Sequence, residues 1–492
     1  MLKKHYLLGS IALFFLSGCT GLPLDTKITD QYETEIQDHV ITIGKDGELR
    51  APLTGDKIAQ GGQEAYLNNI VNRIRAYIEE KKSNGKNAKL VLFIHGGLAH
   101  EAGALKRALE TYPLIKASGK YPVFINWNSE GIRSYGSHLI RIRQGDISPW
   151  AKLTAPFYLL TDIGNTLITA PKAWLVSGGH MLNSTFLQEY DSLSYCNNGN
   201  RLNIRCTKDN ADYWNVRRKL KWIITSPSKV VTTPFAYTLG KPAWDIMLRR
   251  TNTLFYTPSD LELKANAVQY APKYGAPGSG ALYQFLAKLE EKIQSNQYSP
   301  TLGVEIIGHS MGAIVVNKII NQGFNLPYKN IVHMGAADSI ENLFNLVIPY
   351  LSKNKEVQFY SLALHPKNED REASASGLTP SGSLLTWIDN QYTVPETVMS
   401  KRSGRWDNMA RAIDLIPNDP DHIKRNMHFT IFGIQGRKEC TKEELKSLKI
   451  KGLEKFPKKT LYCTAEEHGD FDELPFWLPE VWKGAHLPAQ GD

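Results

Sequence analysis

The chain is predicted to be an α/β protein built on a doubly wound, mostly parallel sheet. Three observations predict it. Residues 89–94 form a nearly continuous apolar run, Lys89-Leu90-Val91-Leu92-Phe93-Ile94, as expected of a strand buried on both faces. Runs of this kind alternate with helix-period stretches, and such alternation argues a parallel sheet with helices on its faces. The third observation is Val304-Glu305-Ile306-Ile307-Gly308-His309-Ser310-Met311-Gly312, followed by Ala313 to Ile320. It reads as a short apolar strand, a sharp turn and a helix.

The elements follow in order. Residues 64–82 place Leu67, Ile70, Val71, Ile74, Tyr77 and Ile78 on one helical stripe, and Ser83-Asn84-Gly85 ends it. The strand at 89–94 leads into His95-Gly96-Gly97-Leu98. A helix over 102–117 and a strand over 122–127 come next. After the turn at Ser310, strands are expected over 330–334, 356–364 and 427–434, with a helix over 281–295 before it. An earlier, shorter strand is expected over 39–43.

Residues 131–271 interrupt the alternation and are read as one insertion without a strand. Residues 152–182 are rich in Leu, Phe, Tyr and Trp. Pro156, Asp162, Pro171 and Lys172 cut the run, so it is not expected to span a membrane. Basic and aromatic residues interleave at Trp214, Arg217, Arg218, Lys219, Lys221 and Trp222, then at Trp244, Arg249 and Arg250. This patch suits either a membrane interface or a solvated cationic face over a small core.

The N-terminus carries targeting information. Lys3 and Lys4 precede a short apolar stretch over 6–16, as in an export signal. The segment ends Leu16-Ser17-Gly18-Cys19, which resembles a bacterial lipobox. That resemblance implies cleavage before Cys19 and lipidation of Cys19, and acyl chains in number suffice for stable anchoring. Residues 1–18 are then the signal peptide and 19–37 a tether. Thr20 stands where an Asp would direct retention in the inner membrane, so the sorting pattern points to the periplasmic side of the outer membrane. The inner membrane and the cell surface are the alternatives.

Charge and cysteine usage agree with an exported protein. The formal charge is +9, and removal of Lys3 and Lys4 takes it to +7, which suits an anionic lipid surface. Nucleic acid is not an expected partner, because no nucleic-acid-binding signature accompanies the charge. Beyond Cys19 the cysteines are Cys196, Cys206, Cys440 and Cys463. Their grouping suggests disulfides Cys196–Cys206 and Cys440–Cys463, one of three connectivities. None has C-x-x-C spacing, so zinc is not expected; no metal and no cofactor is called for.

Gly308, Ser310 and Gly312 form G-x-S-x-G in a strand–turn–helix context. Glycine there lets strand and helix approach closely with no Cβ in the way. The following helix points its N-terminus, which favours negative charge, at the serine. This motif, the strand ending in His95-Gly96-Gly97 and a distal histidine together resemble the serine esterase and lipase branch of the α/β-hydrolase superfamily. The resemblance covers 38–130 and 272–481, with 131–271 as an inserted cap and 482–492 as a tail. It implies Ser310 as nucleophile and an oxyanion hole from the backbone of Gly96 or Gly97 and of Met311. His468 is the expected base, in a loop after the last strand, with His422, His428, His365 and His486 as rivals. The expected acid follows the strand at 356–364. Asp370 is the first choice, Glu369 the second and Asp338 the third.

The chain is thus expected to be a lipid-anchored serine hydrolase that cleaves a lipid or acyl ester through an acyl-enzyme. An amidase, thioesterase or acyltransferase would use the same intermediate. A binding protein of the envelope that keeps the fold without catalysis is the reading from another class.

Overall fold

The computed structural model describes residues 36–97, 101–143, 146–182, 202–208, 226–257, 278–296, 298, 300–372, 380–393, 395–418, 422–434, 436–448 and 461–485. Nine strands form its main sheet: β1 (Val40–Ile43), β2 (Leu49–Arg50), β3 (Ala88–Ile94), β4 (Tyr121–Trp127), β5 (Asn203–Cys206), β6 (Leu302–His309), β7 (Tyr328–Met334), β8 (Gln358–Leu364) and β9 (Met427–Phe432). Their spatial order is β2-β1-β4-β3-β6-β7-β8-β9-β5. Every neighbouring pair is parallel except β1 with β2. The α/β class expected from the alternation is therefore the observed one.

The apolar runs are continuous because both faces of the sheet are covered. Leu90, Leu92 and Ile94 of β3 join the core on one side, with Leu67, Ile70 and Ile74 of helix α1 (Gln60–Ser83). Val91 and Phe93 join the core on the other side. There they meet Leu105 and Tyr112 of helix α2 (Glu101–Ala117) and Phe476 and Trp482 near the C-terminus. Alternate residues of a strand point to opposite faces, so a strand buried twice shows no polar alternation.

The insertion differs from its sequence reading in two respects. Asn203–Cys206 is a strand after all, and β5 pairs in parallel with β9 at the sheet edge. Its four residues include Asn203 and Arg205, too short and too polar to register as a run. Residues 152–182, read only as an apolar run cut by prolines and charge, form one helix, α4 (Ala151–Leu182), which runs through Pro156 and Pro171. Among the described residues no helix is long and apolar enough to cross a membrane. Helix α4 packs with α3 (Gly131–Ile140) and α5 (Ser226–Thr253). Tyr135 donates to Asp162 (2.7 Å) and the Trp174 indole donates to the Val230 carbonyl (2.7 Å). Of the basic and aromatic patch, 214–222 lies outside the described residues. Trp244 and Arg250 are buried, so neither belongs to a solvated or membrane-facing surface. The Arg250 guanidinium donates to the hydroxyls of Ser134 and Ser137 (both 2.9 Å).

One ion pair crosses the sheet interior. Lys120, at the start of β4, meets Glu305 of β6 at 2.6 Å, and both side chains are nearly inaccessible. The Lys120 ammonium also donates to the Trp477 carbonyl. Burial pushes the Lys120 ammonium down from its usual value, against the pull of Glu305. Removing one partner of a buried pair leaves an uncompensated charge, at about 3–5 kcal/mol. Lys120→Met is therefore expected to destabilise by that amount in urea unfolding, and Lys120→Met combined with Glu305→Leu to recover most of it. A single variant within ~0.5 kcal/mol of wild type, the range of an ordinary surface change, would contradict this account.

Candidate active site

The turn after β6 has the geometry the motif requires. Ser310 has φ 52°, the one positive φ at a non-glycine residue among those described. The flanking glycines are needed by contact. A Cβ on Gly312 would stand 2.2 Å from the Ile94 carbonyl oxygen, and one on Gly308 would stand 2.6 Å from the Gly312 carbonyl carbon. Real side chains never come so close, so the tip of β3 and the start of helix α6 (Gly312–Asn321) can meet only through glycine.

The loop after β3 lies against this turn. A Cβ on Gly96 would be 2.9 Å from the Ser310 Cβ, and one on Gly97 would be 2.7 Å from the Met311 sulfur. Helix geometry leaves the first N–H groups of α6 without intrahelical acceptors. Ala313 and Ile314 turn back to the carbonyls of Ser310 and Met311, and the N–H groups of Met311 and Gly312 remain at the helix mouth. His95 shapes the loop: its Nδ1 donates to the Gly96 carbonyl (2.8 Å), and its Nε2 accepts from the Trp127 N–H (3.0 Å). Ser129 donates to the same Gly96 carbonyl (3.0 Å). The loop backbone is thereby held beside Ser310.

His468 is brought to the same place. Its Cε1 lies 2.7 Å from where a Cβ of Gly335 would be, and Gly335 has φ 51°. The residues on either side of Gly335 hold Ser310 itself. Ser310 donates its N–H to the Met334 carbonyl (2.8 Å), and Ala337 donates to the Ser310 carbonyl (3.0 Å). The ring of His309 lies 5.1 Å from that of His468. Both ring nitrogens of His468, and the Ser310 hydroxyl, are buried with no hydrogen-bond partner among the described residues.

The segment carrying His468 is tied down from several sides. The His309 Nε2 donates to the His468 carbonyl (3.0 Å), and its Nδ1 meets the Asp472 carboxylate at 2.8 Å. Burial alone would raise the Asp472 carboxyl, but His309, Arg107 and His95 outweigh it and hold it below the usual range. The Glu372 carboxylate accepts the His468 backbone N–H (2.7 Å). Asp470 accepts from the N–H groups of Glu466 and Glu467 (2.9 and 3.0 Å). Cys440 and Cys463 form a disulfide between Cα atoms 4.9 Å apart. Cys206 is disulfide-bonded as well, while Cys196, Cys19 and His486 lie outside the described residues.

Among the acid candidates, Glu369 faces the histidine and Asp370 does not. The Glu369 Oε1 lies 3.9 Å from Nδ1 of His468. The Asp370 carboxylate instead pairs with Arg405 at 3.0 Å. The two residues are adjacent in the short helix Pro366–Arg371, where successive side chains diverge by about 100°. One side chain can then face His468 only if the other turns to Arg405. Asp338 is occupied elsewhere, accepting from Asn317 (2.7 Å) and Asn342 (2.6 Å). The rival histidines are engaged away from Ser310. His428 contacts the Gln358 side chain (2.8 Å), His422 contacts the Leu351 carbonyl (3.1 Å), and His365 accepts from the Lys367 N–H (3.0 Å). The parts played by His309, Glu372 and Asp472 went unread. The one signal was the histidine inside Gly308-His309-Ser310.

The electrostatics of the pair follow from burial. The apolar setting pushes the Glu369 carboxyl up to about 8, against a hydrogen bond from Ser383 and the pull of Arg405. The same burial, with His309 adding to it, pushes His468 down to about 3. A cleft of about 130 Å³ is lined by residues including Trp174, Val230, Lys229, Ser381 and Thr386; Ser310, His468 and Glu369 are not among them. Thr386 lies one turn beyond Ser383, in the helix that Ser383 caps.

Comparison of the chain with protein-family models, with curated proteins and with solved structures gave no match in any of the three.

The raised Glu369 carboxyl carries a stability prediction. Its folded value lies above its ordinary 4.5, so the folded state binds this proton more tightly. The stabilisation is complete below about 4.5 and is lost as pH rises through about 8. Glu369→Gln keeps the neutral shape without the titration. Over that interval wild type is expected to lose about 1.4 kcal/mol per pH unit relative to Glu369→Gln. Urea midpoints across the interval measure it, and parallel curves for the two proteins would refute it.

Proposed function

We propose that the chain is a serine hydrolase of the α/β-hydrolase fold that cleaves carboxylic esters through an acyl-enzyme. The observation that carries this reading is Ser310, in a left-handed turn at the end of a buried strand, with His468 and Glu369 gathered beside it. The strand order supports the fold assignment. So does the placement of Ser310 and Glu369 after the C-terminal ends of β6 and β8, with His468 against Gly335 just after β7, where open α/β sheets bind ligands.

The chemistry would run as follows. Nδ1 of His468 faces Glu369, which leaves Nε2 for the serine. The Ser310 oxygen attacks the ester carbonyl carbon while Nε2 takes its proton, and Glu369, in its ionised form, accepts from Nδ1–H and supports the imidazolium. Backbone N–H groups of Gly96 or Gly97 and of Met311 stabilise the oxyanion. The carbon–alkoxy bond then breaks, the alcohol leaves with the proton from Nε2, and water repeats the sequence on the acyl-enzyme.

We propose further that Cys19 is lipidated and tethers the protein to the bacterial envelope. The wild type is expected to incorporate labelled fatty acid, and Cys19→Ala to block it. Unlabelled wild type would dispose of the tether.

The chemical reading is tested by variants. Ser310→Ala is expected to abolish ester hydrolysis and labelling by a fluorophosphonate probe. His468→Ala and Glu369→Gln should each lower kcat by about 10³–10⁴. Asp370→Asn should retain kcat and lose stability, because it breaks the pair with Arg405. An active Ser310→Ala would end the serine mechanism. An inactive but folded Asp370→Asn beside an active Glu369→Gln would return the acid role to Asp370.

A further inference from the structure

Helix α4 is amphipathic with its faces reversed. Its small and polar residues turn inward: Ala151, Asp162, Thr166, Ala170 and Ala173 are all buried. Its large apolar residues turn outward. Leu153, Phe157, Leu160, Leu167, Ile168 and Leu175 are each 66 to 78 % exposed. At 100° per residue these six fall on one face. A soluble helix buries such a stripe; this one displays it.

The face continues beyond the helix and has a charged border. The Trp174 indole, itself partly exposed, donates to the Val230 carbonyl, and exposed Val230 and Val231 of α5 extend the apolar surface there. Trp150 stands exposed at the other end. Lys152 and Lys172 are exposed along α4, near opposite edges of the stripe. The single acid of the helix, Asp162, is turned inward to Tyr135. Along some 48 Å of helix at 1.5 Å per residue, the outward surface is apolar with cationic edges and no acid.

We infer that this face lies on the surface of an anionic lipid bilayer, with the apolar stripe among the acyl chains and Lys152 and Lys172 at the phosphates. Charge decides between occupants. A second copy docked on the same stripe would add further lysines and no acid of α4 to pair them. Lys172 lies over the Tyr237 ring, 5.9 Å from its centroid; anionic headgroups supply the anion that α4 lacks along both edges, and long lysine stems reach them while covering apolar surface. The helix lies in the interface and does not cross it, since no described helix has the length and apolar content to span a bilayer. The net charge, +9 for the whole chain and +7 without Lys3 and Lys4, acts in the same direction. This docking does not depend on the hydrolase reading.

The test uses the full chain with vesicles of phosphatidylethanolamine and phosphatidylglycerol whose acyl chains are brominated. Bromine at shallow acyl positions is expected to quench Trp150 and Trp174 fluorescence, and Trp150→Phe to remove part of the quenched signal. Leu160→Glu with Leu167→Glu should abolish the quenching and weaken vesicle binding about tenfold or more, given the cost of placing charge among acyl chains. Its melting temperature should hold, because neither side chain packs inside. A milder Leu160→Ser with Leu175→Ser, expected to weaken binding in the same direction, serves if the double glutamate does not fold. Neutral phosphatidylcholine vesicles should bind less well. Equal quenching in wild type and both variants would overturn the inference, as would a wild-type dimer that these substitutions dissociate. Protection of the helix from hydrogen exchange that vesicles leave unchanged, with no quenching, would show the face covered by the chain itself and overturn it too.

Discussion

The left-handed turn at Ser310 is the constraint on which the rest of the site depends. A serine at φ 52° sits where non-glycine residues pay about 1–3 kcal/mol. The surroundings over-determine it. Ser310 donates to the Met334 carbonyl and accepts from the Ala337 N–H, and the Gly312 Cα abuts the Ile94 carbonyl. Three neighbouring strands thus converge on one residue. Because β6 pairs with β3 on one side and β7 on the other, the loops after those strands are delivered to Ser310 by register alone.

The second determinant is how buried carboxylates are shared out. Arg405 takes Asp370 at 3.0 Å, Asp407 at 3.1 Å and Asp389 at 3.5 Å. Burial would push that guanidinium down, but the three acids together raise it further than burial lowers it. Arg402 joins the cluster through Asp389 at 3.3 Å. With Asp370 thus neutralised, Glu369 is left to a drier setting, where burial raises its carboxyl and His468 is its nearest base. Glu372, raised by burial and by Glu369, holds the backbone of the same histidine. Two adjacent acids therefore have different jobs, set by which of them the arginine claims.

The sheet was legible in the sequence because burial on both faces writes long apolar runs, and Ser310 was legible because close approach writes glycine. Strand β5 was not legible, since four residues at an edge need no apolar pattern. The continuity of α4 through Pro156 and Pro171 was hidden for another reason. Proline removes a backbone donor, but packing against α3 and α5 holds the helix on either side. The choice between Glu369 and Asp370 lay beyond sequence reasoning, because it rests on Arg405, distant in sequence and silent in any local motif. His309 was visible as a letter of the motif, yet its contact with Asp472 needs the chain to return from 160 residues away.

The helices over the site join these threads. Met247 of α5 reaches Gly97 so closely that a Cβ there would stand 2.8 Å from its methyl carbon, and Ser310 has no exposed surface. The cover is therefore in contact with the loop that would hold the oxyanion. Helix α4 rests on α5 and turns its large apolar residues away from both. Trp174 and Val230, at the edge of that outward face, also bound a cleft with Ser381 and Thr386. Small inward residues let α4 sit close against α3 and α5, which leaves the bulky side chains nowhere to go but out.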